Sequence, residues 1–99
     1  DEGKYSTKNG IMVSKFLNNR AHGPATTWDT DGKADIQVHD MGIETGRGVQ
    51  WNEDRTLAWE LHDGSSTGRS ISLQEAADFA ASLNLSVPAV RNFAVNGGW

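Results

Sequence analysis

The sequence predicts a single α+β domain: an antiparallel sheet of three to five strands, built from two hairpins and packed by a helix near residues 73–83. Three observations carry this. Apolar and polar residues alternate over 34–38 and again over 57–61, the period of a strand with one buried face. Polar turn residues join each of these runs to a second β-rich run. From Leu73 onward the apolar period changes to that of a helix.

Taken in chain order, the first ten residues are polar and predict a frayed end. Met12, Val13, Phe16 and Leu17 have helical spacing, so a short helix is expected over Ile11–Arg20. His22, Gly23 and Pro24 predict a loop. Thr26-Thr27-Trp28, then Asp31-Gly32, then Ala34-Asp35-Ile36-Gln37-Val38 predict the first hairpin, with a tight primed turn at Asp-Gly. Val49 and Trp51, the polar turn Asn52–Arg55, and Leu57, Trp59 and Leu61 predict the second. In that reading Trp51 and Trp59 face one core, with Ile36, Val38, Leu57, Leu61, Leu73, Ala76, Ala80 and Leu83. Arg69-Ser70-Ile71 is expected as a short edge strand. No internal repeat is evident.

Ser72 and Glu75 form a capping-box pattern, in which a hydroxyl and a carboxylate each satisfy an N–H at a helix start. Leu73, Ala76, Ala80 and Leu83 then make an apolar stripe, and Asn84 a stop. Beyond it two periods compete over 87–95, and both helix and strand remain open.

The chain has 99 residues, no cysteine and a net charge of −4. Its length suits one domain. The missing thiols exclude disulfides, zinc–thiolate sites and cysteine nucleophiles. No apolar run reaches the roughly 20 residues of a membrane helix, and a cytoplasmic location is expected. The charge is uneven. Residues 34–63 carry Arg47 and Arg55 against Asp35, Asp40, Glu44, Glu53, Asp54, Glu60 and Asp63. That balance disfavours a nucleic-acid backbone and suits a basic partner.

Three function classes follow. The leading expectation is a small non-enzymatic binding module that engages a protein partner, or a second copy, through its acidic surface. Its contacts would be Glu44, Glu53, Asp54 and Glu60, with Trp28 and Trp99 as exposed anchors. No cofactor and no metal are expected.

The second class rests on Ala80 to Phe93. A small Ala80, a turn at Asn84, a start at Ser86 and anchors at Val90 and Phe93 resemble the helix-turn-helix pattern of bacterial regulators. The resemblance implies a DNA-binding helix presenting Ser86, Arg91 and Asn92, but Arg91 is the only cation it offers.

The third class is a small metal-dependent enzyme, if His39, His62 and Asp63 converge. Asp29 to Asp35 has the look of a calcium loop, but its sixth position is Ala34, not glycine, and an Asp-Gly turn accounts for the same residues. The loop Gly64–Gly68 lacks both the P-loop lysine and a nucleophile-elbow pattern.

Overall fold

The computed structural model describes residues 2–7, 10–18 and 20–90. Seven strands form one sheet in chain order: β1 (Glu2–Thr7), β2 (Gly10–Leu17), β3 (Arg20–Asp29), β4 (Ala34–Asp40), β5 (Ile43–Trp51), β6 (Ala58–His62) and β7 (Ser65–Ile71). Every neighbouring pair is antiparallel. One helix, α1 (Leu73–Ser82), follows.

This corrects the expected sheet of three to five strands from two hairpins. The two anticipated pairings exist, as β3 with β4 and β5 with β6. They are the links between three further hairpins: β2–β3, β4–β5 and β6–β7. The expected N-terminal helix is strand β2. Ile11 and Val13 pack into one face while Ser14 is buried on the other, and β1 and β3 pair with both edges. A helix would have left those backbone ladders unpaired.

The three hairpins are copies of one unit. Asn18, Met41 and Asp63 open their turns with positive φ (52°, 51° and 50°), 23 and 22 residues apart. Gly23, Gly46 and Gly68 follow at the same spacings, also with positive φ. Each glycine lies where its hairpin's register shifts. Such a bulge needs a residue that tolerates left-handed backbone, and it bends and twists the strand. The repeat leaves traces in the sequence: Thr45-Gly46-Arg47 recurs as Thr67-Gly68-Arg69, and Trp28 recurs as Trp51. A single hairpin cannot bury its own apolar face, but stacked hairpins build a continuous core.

That core lies on one face of the sheet. Ile36, Val49, Trp51, Ala58 and Ile71 meet Ala76 and Ala80 of α1. Ile11, Trp28 and Ala34 extend it toward β2. The alanines of the helix let it approach closely over the large ring of Trp51. Ser72 caps α1 by accepting the N–H of Glu75 at 3.0 Å. Glu75 does not complete the expected capping box. Its carboxylate accepts from Arg47 Nη2 at 2.6 Å instead. Asn84, at φ 60°, ends the helix, with Leu85 N–H donating to Ala80 O and Asn84 N–H to Ala81 O.

Residues 83–90 then form a strap over the same face. Leu83 and Leu85 pack on the core. Trp28 Nε1 donates to Ala89 O at 2.8 Å. Arg55 donates to Pro88 O and Ala89 O, both at 2.9 Å, and also to Gly32 O and Asn52 O. One guanidinium therefore ties the strap to two loops.

Candidate binding face

Alternation along each strand decides which side chains share a face. Trp51 pairs with Ala58, so Ala58 faces α1 and Trp59 faces away from it. The expectation that Trp51 and Trp59 share a core is overturned. Leu57, also expected inside, is 62% exposed, and Leu73 is 44% exposed. The small Ala58 occupies the core position because Trp51, Ile71 and the helix already fill the space.

The opposite face is covered by neither α1 nor the strap. Across it the register aligns Met12, Thr27, Asp35, Gln50, Trp59 and Ser70, one residue from each of β2 to β7. Such cross-strand neighbours have Cβ atoms about 5 Å apart. Trp59 Nε1 donates to Gln50 Oε1 at 2.7 Å. Gln37 Nε2 donates to Asp35 Oδ1 at 3.0 Å. Trp59 and Gln50 are half-buried, and Gln37 is buried.

Burial pushes the Asp35 carboxyl up to about 6. The bond from Gln37 opposes that shift, and the charges of Glu44 and Asp29 add to it. Among the described residues no cation lies within ion-pairing distance of Asp35. Two residues beyond Gln37, His39 is buried, and its Nδ1 has no hydrogen-bond partner among the described residues. Burial lowers the pKa of His39, so the ring is neutral at physiological pH. Glu44 lies opposite His39, its carboxylate packed where a side chain on Gly64 would stand.

The residues singled out in the sequence are scattered over the molecule. Trp28 is buried under the strap at 7% exposure, so it is no surface anchor. Glu60 faces α1 and binds Arg69 Nη1 at 2.9 Å and Arg47 Nε at 3.5 Å. Arg47, stacked over Phe79, and Arg69 also both meet Glu75. Glu60 is thus engaged within the fold by the two repeat arginines. Glu53 and Asp54 are exposed in the β5–β6 loop, and Glu44 is half-buried at the far end of β5. No single acidic surface unites them.

The helix-turn-helix reading fails over the described residues. Ser86 starts no helix: 86–90 have no regular secondary structure, with Pro88 buried and its carbonyl held by Arg55. Arg91, Asn92 and Trp99 lie outside the described residues. The metal-enzyme reading fails on geometry. His39 and His62 are on opposite faces, with β5 between their strands. His62 Nε2 lies 3.4 Å from Asp63 Oδ2, but both are exposed, and Asp63 Oδ1 is taken by the Gly46 N–H at 2.6 Å. Among the described residues no three His, Asp or Glu side chains group to hold a metal ion. The calcium-like Asp29 is also engaged, its Oδ1 accepting the N–H groups of Asp31 and Lys33. That capped loop replaces the expected primed turn.

Among the described residues no helix is long and apolar enough to cross a membrane. Comparison with known proteins gives no match, whether to protein-family models, to curated proteins or to solved structures.

Asp35 is the perturbed group on this face that the sequence reading did not select. Its signal was an acidic residue inside a strand, next to the deeply buried Ile36. Nothing in the sequence says that its neighbours leave it without a cation.

Proposed function

We propose that this chain is a non-enzymatic binding module, and that it engages a protein partner through the face of the sheet that α1 leaves uncovered. One observation carries the reading. The open face holds a half-buried tryptophan, oriented by Gln50, with a carboxylate of raised pKa on the other side of Gln50. Rigid aromatic side chains held by polar neighbours are common anchors of protein interfaces. A strongly perturbed titratable group outside any ion-pair network is a candidate for a functional surface. The described surface offers no convergent acid, base and nucleophile to support catalysis.

Site-directed photo-crosslinking tests this in the protein's native cells. A crosslinker replaces Ser70, exposed on the open face opposite Trp59, in one variant and Ser82 on α1 in another. The reading expects a discrete protein adduct from position 70 and none from position 82. Adducts from position 82 alone, or from neither position, overturn it.

A further inference from the structure

We infer that the open face takes an arginine side chain of its partner, with the guanidinium seated between the Asp35 carboxylate and the Trp59 indole. This rests on the reading of that face as the binding surface, and it names the chemistry of the occupant.

Polar groups line β4 and its neighbours on this face. Gln37 Nε2 donates to Asp35, and Trp59 Nε1 to Gln50. Asp35 has a second carboxylate oxygen, and His39 Nδ1 is buried with no hydrogen-bond partner among the described residues. Glu44, across from His39, adds negative charge and is in no ion pair among the described residues. A half-buried carboxylate with no cation beside it is costly, and a cationic occupant removes that cost.

Charge narrows the occupant further. Asp35 is half-buried, repelled by Glu44 and Asp29, and unpaired with any cation among the described residues. A positive charge beside it removes both penalties. Arginine fits better than lysine. Its planar fork binds a carboxylate through two bonds, and its flat face stacks on an indole. Gln50 lies between the two: it pairs with Asp35 on one side and with Trp59 on the other. A guanidinium over Gln50 therefore reaches the carboxylate and the ring together.

Two-dimensional amide NMR of the whole chain, titrated with a blocked peptide of alternating arginine and glycine, tests the inference. The control peptide carries citrulline, the neutral isostere. Near pH 7.5 the arginine peptide is expected to shift the Trp59 indole N–H and the amides of Asp35 and Gln50 saturably. The citrulline peptide should bind about tenfold more weakly or worse, as expected for losing a charge-assisted bidentate pair. Asp35→Asn should weaken the arginine peptide to the same degree. Titrating the unaltered chain near pH 5 gives the same comparison without a substitution. Asp35 is then protonated, while Asp29 and Glu44 nearby and His39 on the same strand are the other groups to follow.

Equal binding of the two peptides, no loss in Asp35→Asn or near pH 5, or shifts confined to the loop of Glu53 and Asp54 overturns the inference. If the peptide fails while crosslinks from position 70 still trap a partner, the occupant is wrong and the binding face stands. If those crosslinks are also absent, the reading of the face falls with it.

Discussion

Trp51 and Trp59 lie on adjacent strands, yet their surroundings differ in kind. Trp51 is 1% exposed and belongs to the core cluster of the sheet and α1. Trp59 looks the other way, half-buried, with its N–H held by a glutamine. The same contrast runs across the whole sheet. The covered face is apolar, and its ionic groups (Arg47, Glu60, Arg69 and Glu75) neutralise one another. The open face keeps an unneutralised carboxylate and a histidine nitrogen without a partner among the described residues. Among the described residues the ionic groups of the first face are paired with one another, and the carboxylate of the second has no cation. The difference separates a side built for folding from the side proposed above for binding.

Substitutions can break that comparison. The largest effect is expected from the covered tryptophan. Trp51→Ala should cost about 3–5 kcal/mol in denaturant unfolding, the range for a large buried aromatic. Trp59→Ala should cost about 1–2 kcal/mol, because less apolar area leaves water. Equal losses would erase the distinction between the faces.

Arg55→Ala comes next, at about 2–3 kcal/mol, since it removes several charged hydrogen bonds at once. Amide exchange over 83–90 should accelerate more than exchange in β4 and β5. Unchanged exchange in the strap would show that α1 alone holds the cover in place.

The smallest loss is expected from Glu60→Gln, below about 1 kcal/mol, because its partners Arg47 and Arg69 are about half exposed. A larger loss would mean that the repeat arginines clamp the hairpins together.

The legible parts of this fold are those with strong local signals. Ser72, the alanine stripe and Asn84 announce α1 almost to the residue, because capping and helical period act within one segment. The β3–β4 and β5–β6 pairings also show in the alternation of Ile36 with Val38 and of Val49 with Trp51. The N-terminal strands do not, because Ile11, Met12, Val13 and Phe16 satisfy both periods. Only pairing with distant residues selects one. The repeat is hidden for a similar reason: it conserves turn and bulge geometry, which needs a few glycines and little else. The facing of Trp59 is decided by Ala58, a residue too small to register as core until α1 is seen to approach it. Of the candidate site, Trp59 and His39 were noticed but assigned the wrong neighbours, and Asp35 was not selected. Their significance lies in missing partners, a property of three-dimensional surroundings.

The most direct test of the central claim, that the open face is not satisfied by the fold itself, is the stability of Asp35→Asn as a function of pH. The folded-state pKa is raised from 3.8 to about 6, so the folded chain holds this proton more tightly than the unfolded one. The stability this contributes to the unaltered protein is present below 3.8 and is lost as the pH rises through about 6. Asparagine keeps an acceptor for Gln37 and removes the charge. The full shift corresponds to about 3 kcal/mol, which partial exposure reduces to about 1–2 kcal/mol. The account predicts that Asp35→Asn is more stable than the unaltered protein by that amount near pH 7.5, with the gain shrinking toward pH 4. A variant less stable at both pH values would mean that the carboxylate supports the fold, and would contradict the assignment of this face to binding.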